Sequence, residues 1–196
     1  MPRRVRDDRR VDAPSLTADP LTLRALRPED RAARRRHGWH AEIERAYGSS
    51  TGTRAMTDDE LERWSANWER GASEPNRIHW VLDVGGEAVG AAFLHGVDPV
   101  DRRARYAVGL YHPSWLGRGL GRRATRLVLG YAFGPLGLHR VDLRVLDDNH
   151  RARATYRACG FVEEGRERET CFLDGRWHDD VVMAVLEHEF DSSTAG

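Results

Sequence analysis

The segment with the most chemical content is Leu116-Gly-Arg-Gly-Leu-Gly121, which lies between an expected strand and an expected helix. Glycines at 117, 119 and 121 let the backbone come close to a ligand and let successive N–H groups converge. A helix start adds partial positive charge, so the turn suits an anion such as a pyrophosphate. Arg118, Arg122 and Arg123 bring guanidinium groups for charge-assisted contacts. Taken alone, the turn also fits a dinucleotide fingerprint or a plain tight turn. The preceding strands speak against the dinucleotide case. A Rossmann unit opens with such a turn and continues through parallel βαβ crossovers. Here the strands before residue 116 read as an antiparallel meander, and the glycines fall at every second position rather than as G-x-G-x-x-G.

Composition narrows the chemistry further. The 196 residues carry 31 basic side chains, all of them arginine, against 31 acidic ones. Without lysine there is no Schiff-base enzyme and no P-loop. A net charge of zero gives no overall attraction to nucleic acid or to an acidic membrane. Length points to one domain. No apolar run approaches the roughly 18 residues of a membrane span. The basic Met1–Arg10 stretch lacks the apolar core of a secretory signal. Cys159 and Cys171 are too few for a disulfide framework, and a reduced, cytoplasmic protein is expected. His37-x-x-His40 lacks the glutamate and the spacing of a zinc protease, so no metal is expected.

The elements that must hold the turn are legible in the hydrophobic periods. Residues 1–18 read as a flexible, arginine-rich arm, 19–190 as a single domain and 191–196 as a tail. Strand alternation begins at Leu21 and runs to Leu26, and Pro28-Glu-Asp30 opens a helix. From 31 to 72 the pattern is helical but broken, with Arg34-Arg35-Arg36 read as a solvated face and Gly48–Gly52 as a loop. Thr57-Asp-Asp-Glu60 is a capping box for a helix over 58–70, with Leu61, Trp64 and Trp68 on one side. Strands follow at 78–84 and 88–94 around Gly85-Gly86, then at 105–111. A helix over 119–133 buries Leu120, Ala124, Leu127, Val128 and Tyr131. A strand at 141–145, a helix at 149–158 ending at Gly160, and a strand pair 166–172 and 181–186 around Asp174-Gly175 complete the chain.

With these elements in place, Tyr111-His-Pro-Ser-Trp-Leu-Gly-Arg-Gly-Leu-Gly-Arg-Arg-Ala124 resembles the acetyl-CoA-binding motif of the GNAT N-acetyltransferases, Q/R-x-x-G-x-G/A. Leu116 takes its first position, and Gly119 and Gly121 its two glycines. Asn149-x-x-Ala152-x-x-x-Tyr156-x-x-x-Gly160-Phe161 resembles a second motif of the same family. Leu23–Asp30 and Gly175–Asp179 are similar to the RimJ/RimL and spermidine acetyltransferase branch, so the likeness runs over about 21–190.

The resemblance implies a mixed, mostly antiparallel α/β sheet, splayed between the fourth and fifth of the strands above, with helices on both faces. It implies acetyl-CoA as acyl donor. The pyrophosphate would rest on the N–H groups of Leu116, Gly117, Arg118, Gly119, Leu120, Gly121 and Arg122. The pantetheine would pair with Gly109, Leu110 and Tyr111, with an N–H near Gly109 for the oxyanion. Asn149 would orient the pantetheine, although asparagine there also reads as a helix cap. Tyr156 would be the general acid, although it also reads as a core tyrosine.

The expected acceptor is a small primary amine (polyamine, amino sugar, amino acid or antibiotic), attacked directly in a ternary complex. A protein N-terminus is the alternative, and a non-catalytic acyl-CoA-binding module is the alternative of another class. A homodimer is a family-level expectation. The chain departs from the family where many members carry a glutamate base. Tyr106 stands there, and a tyrosine of ordinary pKa is a poor base. His79, His95, His112 and the Asp179–Asp180 pair are left as candidate bases. Trp39, Trp64, Trp68, Trp80 and Trp177 are candidate acceptor-site walls, and Glu42, Glu44, Asp58, Asp59, Glu60 and Glu62 candidate attractors of a cation.

Overall fold

The computed structural model describes residues 13–191. Strands β1 (Leu16–Ala18), β2 (Leu21–Arg24), β3 (Arg77–Val84), β4 (Glu87–Asp98), β5 (Arg103–Leu110), β6 (Arg140–Leu146), β7 (Val162–Leu173) and β8 (Arg176–Leu186) form one sheet. Its order is β1-β2-β3-β4-β5-β6-β8-β7. Helices α1 (Asp30–His37), α2 (Ala41–Ala46) and α3 (Asp58–Ser73) lie between β2 and β3, α4 (Leu120–Phe133) between β5 and β6, and α5 (His150–Arg157) between β6 and β7. The mixed, mostly antiparallel sheet of the sequence reading is therefore present. The start is earlier than expected. Leu16–Ala18 pairs with β2, and Pro14 accepts a 2.9 Å bond from the Trp80 indole, so 13–18 are part of the domain. The rest of the arm and residues 192–196 lie outside the described residues.

Two-residue alternation divides β3 between two cores. Ile78, Trp80 and Leu82 face α4, whose Ala124, Val128 and Leu129 are fully buried against them. Each such large side chain contributes about 1.5–3 kcal/mol of transfer free energy. Val81, on the other face, packs with Ala33 of α1 and Trp68 of α3. The expected capping box is present: Thr57 Oγ1 accepts from Glu60 N–H, and Glu60 accepts from Thr57 N–H.

Arg24 ties the entry of the chain together. Its guanidinium donates to both Asp30 oxygens at 2.8 and 2.9 Å and to Asp83 at 2.6 Å, joining β2, α1 and β3 in a buried network. The α1 arginines correct the sequence reading. Arg35 and Arg36 are exposed, but Arg34 is buried, with its guanidinium 4.6 Å from the Trp39 ring and 5.0 Å from the Tyr111 ring.

The feature that positions the site is the junction of β5 and β6. Among the described residues it is the one parallel pairing of the sheet, and its register holds only from Arg103↔Arg140 to Arg105↔Asp142. Beyond that point β5 stays with β4 through Leu110, and β6 stays with β8 through Leu146. The two strands diverge and leave a wedge whose walls belong to α2, α4 and α5.

Candidate active site

The wedge is a cleft of about 420 Å³. Its β5 wall runs from Tyr106 to Leu110 and its β6 wall is Arg144 and Val145. One end is the glycine turn, with Trp115, Leu116, Gly117, Gly119, Leu120, Gly121 and Arg122. The other end is Ile43, Ala46 and Tyr47 of α2 with Asn149, Ala152, Thr155 and Tyr156 of the α5 segment.

The turn has the geometry an anion requires. Gly117 and Gly119 both sit at φ +74°, a left-handed conformation that side-chain-bearing residues adopt at a cost of about 1–2 kcal/mol. A Cβ built on Gly117 or Gly121 meets nothing within 4 Å, so the backbone here borders open space. Gly119 is the N-cap of the 14-residue α4 and offers no side-chain cap. The first N–H groups of the helix are left for a ligand, at the positive end of its dipole. Arg122 lines the cleft. Arg118 does not: its guanidinium stacks 4.7 Å from the Trp115 ring, outside the lining.

The strand wall also departs from the residue-level expectation. Tyr111 N–H donates to the Val89 carbonyl of β4 at 2.9 Å. Antiparallel alternation then turns Gly109 toward β4 as well, and the backbone groups of Val108 and Leu110 toward the unpaired gap. The free amides of this wall belong to Val108 and Leu110, not to Gly109. Tyr111 contributes no lining and packs its ring beneath Arg34.

Two further phenols, Tyr156 and Tyr47, line the cleft. Tyr156 is 8% exposed, packs near Tyr106 and Phe161, and is pushed up to about 12 by burial. It therefore carries its proton at neutral pH. Tyr47 was not singled out by the sequence. It is 55% exposed as a residue, yet its hydroxyl lies 0.9 Å from where a Cβ on Gly109 would stand. Desolvation, with the Tyr156 phenol adding to it, holds its pKa well above the tyrosine range. Asn149 lines the cleft while its side chain caps α5, accepting from Ala152 N–H at 3.1 Å.

Tyr106, at the family's glutamate position, is fully buried, shares a 3.1 Å hydrogen bond with Thr125 and has its pKa raised by burial, so it is no base. The other candidates lie elsewhere. His79 borders a different cavity, and His95 pairs with Arg77 and Arg105 along β4. His112 caps the Pro113–Trp115 turn through Nδ1, and Asp179 binds Arg166 and the Glu169 N–H. Among the described residues, no carboxylate and no imidazole lines the cleft. Nor do Trp39, Trp64, Trp68, Trp80 or Trp177; Trp115 is the tryptophan that does.

The acidic residues expected to draw a cation are largely spoken for. Glu42 pairs with Arg151, Asp58 with Arg35, Glu60 with Arg54 and Glu62 with Arg31. Asp147, Asp148 and His178 place their ligand atoms within 4.8 Å of one another, but Arg166, Arg45 and Arg176 already balance the two carboxylates.

A sheet splayed between β5 and β6, a glycine turn at a helix start and a buried tyrosine in the same cleft define a class, and comparison with known proteins agrees. The family described as "Acetyltransferase (GNAT) domain" matches residues 20–162, and the chain belongs to it. GNAT acetyltransferases use acetyl-CoA, and the lining described above suits its anionic end and its extended arm. The chain is 28% identical over 123 residues to spermidine N(1)-acetyltransferase of Escherichia coli K12, covering 63% of this chain and 66% of that one. It is 31% identical over 125 residues to YdaF of Bacillus subtilis, provisionally named a ribosomal N-acetyltransferase, covering 64% and 68%. The matched segment thus spans just under two thirds of the first of these relatives. Spermidine N-acetyltransferase from Vibrio cholerae, solved with CoA and spermine, superposes with a TM-score of 0.74 at 24% identity over 88% of this chain and 98% of its own.

Proposed function

We propose that this protein is an acetyl-CoA-dependent N-acetyltransferase that acts on the primary amine of a small molecule by direct attack in a ternary complex. The observation that carries the reading is the wedge between β5 and β6, which joins the anion turn at α4 to the buried Tyr156 in one cleft. Acetyl-CoA, as donor substrate, supplies the acyl group as a thioester. The N–H groups from Leu116 to Arg122 would hold its pyrophosphate, and the Val108 and Leu110 amides would pair with its arm and meet the developing oxyanion. As the amine forms its bond to the acyl carbon, the carbon–sulfur bond breaks and Tyr156 gives its phenolic proton to the departing sulfur. The nitrogen's own proton leaves to solvent, since the described cleft offers no base, and Tyr156 takes a proton back from solvent to complete the cycle. The Asn149 cap fixes the start of α5 and hence the placement of Tyr156.

The spermidine-acetylating relatives support a small amine. The arginine-paired acids around α2 and α3 favour an acceptor with few positive charges over a long polyamine. YdaF supports a second reading, a protein N-terminal amine. A homodimer and a cytoplasmic location belong to the same proposal. Thiol release from acetyl-CoA, measured across polyamines, amino sugars, amino acids and N-terminal peptides, tests it. Turnover with a small amine is expected. Tight CoA binding without turnover on any acceptor would leave a non-catalytic acyl-CoA-binding module instead.

A further inference from the structure

Strand alternation gives β5 a different character on the two faces of the sheet where it borders the cleft. Val108 and Leu110 pack with Tyr106 and Tyr156 in the core under α4. Gly109 and Tyr111 point the other way, and Tyr111 joins the core built on α1 and α3. Gly109 brings no side chain to that face. The Tyr47 phenol of α2 takes the place instead, its hydroxyl lying where a Gly109 Cβ would stand. Tyr156 and Tyr47 therefore stand on opposite faces of the sheet at the free edge of β5. Burial, and after it the nearby Tyr156 phenol, raise the Tyr47 pKa, as expected of two hydroxyls that share one space. Tyr47 is more than half exposed and lines the cleft, so a ligand can reach its ring. Ile43 and Ala46 of the same helix extend that wall as an apolar surface.

The placement of the two phenols fixes the direction an acyl group can take. This step rests on the function proposed above, in which the Val108 and Leu110 amides meet the thioester oxygen and Tyr156 faces the sulfur. The carbonyl carbon of a thioester is planar, with its three substituents spread evenly around it. Its oxygen turns to the β5 edge and its sulfur to the Tyr156 face. The alkyl group is left to point to the remaining side, toward Gly109 and the phenol laid on it. A longer chain in that direction meets the Tyr47 ring.

We propose that Tyr47 determines the acyl specificity of this protein: its ring, seated on Gly109, closes the side of the cleft into which an acyl chain longer than acetyl would extend.

Titration of acetyl-, propionyl- and hexanoyl-CoA into the full chain tests the assignment, with kcat/KM for each donor measured beside the affinities. A single methylene in a closed apolar pocket is worth about 10–200-fold. Hexanoyl-CoA should therefore bind the unaltered chain at least about tenfold more weakly than acetyl-CoA, and react with a kcat/KM at least about a hundredfold lower. Tyr47→Ala removes the ring, and hexanoyl-CoA should then bind within about threefold of acetyl-CoA. Tyr47→Phe removes only the hydroxyl, and should admit propionyl while still excluding hexanoyl. A thermal melt shows which chains fold; should Tyr47→Ala not fold, Tyr47→Phe carries the test through propionyl-CoA. Equal affinity of the unaltered chain for acetyl- and hexanoyl-CoA overturns the proposal. So does a folded Tyr47→Ala chain that still rejects hexanoyl-CoA, and so does the absence of any acyl-CoA binding. Lack of turnover on every amine would instead sink the acetyltransferase reading, and the affinities would still decide the role of Tyr47.

Discussion

At the scale of single residues, the proposed general acid is Tyr156. It lines the cleft, is buried, and holds its proton far above neutral pH. Tyr156→Phe removes that proton and nothing else of comparable size. General acid catalysis contributes about 10²–10⁴ in rate, so kcat should fall by at least about a hundredfold while the acetyl-CoA Kd stays put. Steady-state kinetics beside a binding titration separates the two, and an unchanged kcat would remove Tyr156 from the mechanism. Tyr156, Gly119 and Gly121 were legible because the family spacing marks them. Arg34 was not, because a run of three arginines reads as solvent-facing until Trp39 and Tyr111 are seen stacked on one of them. Tyr47 gave no signal at all. It ends a six-residue helix with no periodicity of its own, and only the fold brings it to Gly109.

Between elements, that contact makes a two-sided prediction. The Tyr47 hydroxyl of α2 occupies the space where Gly109 of β5 would carry a Cβ, and Gly109 is not in a positive-φ conformation. Gly109→Ala should therefore destabilise by overpacking, about 1–3 kcal/mol, and should lose acetyl-CoA affinity as Tyr47 is driven into the cleft. Tyr47→Ala should restore most of both losses, since the alanine backbone at 109 is unstrained once the phenol has gone. Thermal melts and CoA titrations of the four chains give the coupling directly; additive losses would mean that the two residues do not touch in solution. Helix α4 and the β3–β4 hairpin were legible because their apolar periods are clean. β1 has only three residues, and the edge strand β7 is exposed for most of Val162–Thr170, so neither has a buried face to impose alternation. The register shifts of β7 against β8 belong to the same unconstrained edge.

Across the whole molecule, charge is placed for structure rather than for proton transfer. Arg24 is clamped between Asp30 and Asp83, and the Asp30 bond, ahead of the Asp83 bond, holds it charged against its burial. Arg24→Ala strands two buried carboxylates and should cost about 3–5 kcal/mol, read as a shift in the urea midpoint. The nine histidines are spread over caps and pairs elsewhere in the fold, and none lines the cleft between β5 and β6. The pH dependence of catalysis should then belong to the acceptor. With no carboxylate or imidazole lining the described cleft, kcat/KM should rise about tenfold per pH unit until the amine's own pKa is reached. The fall that follows loss of the Tyr156 proton should come only as pH climbs toward about 12. Two acceptors whose amines differ in pKa should therefore give profiles displaced by that difference. If both profiles instead break at one common pH near 7, a base from the chain takes the proton, and His112 or His40 beside it, near the end of β5, becomes the group to substitute.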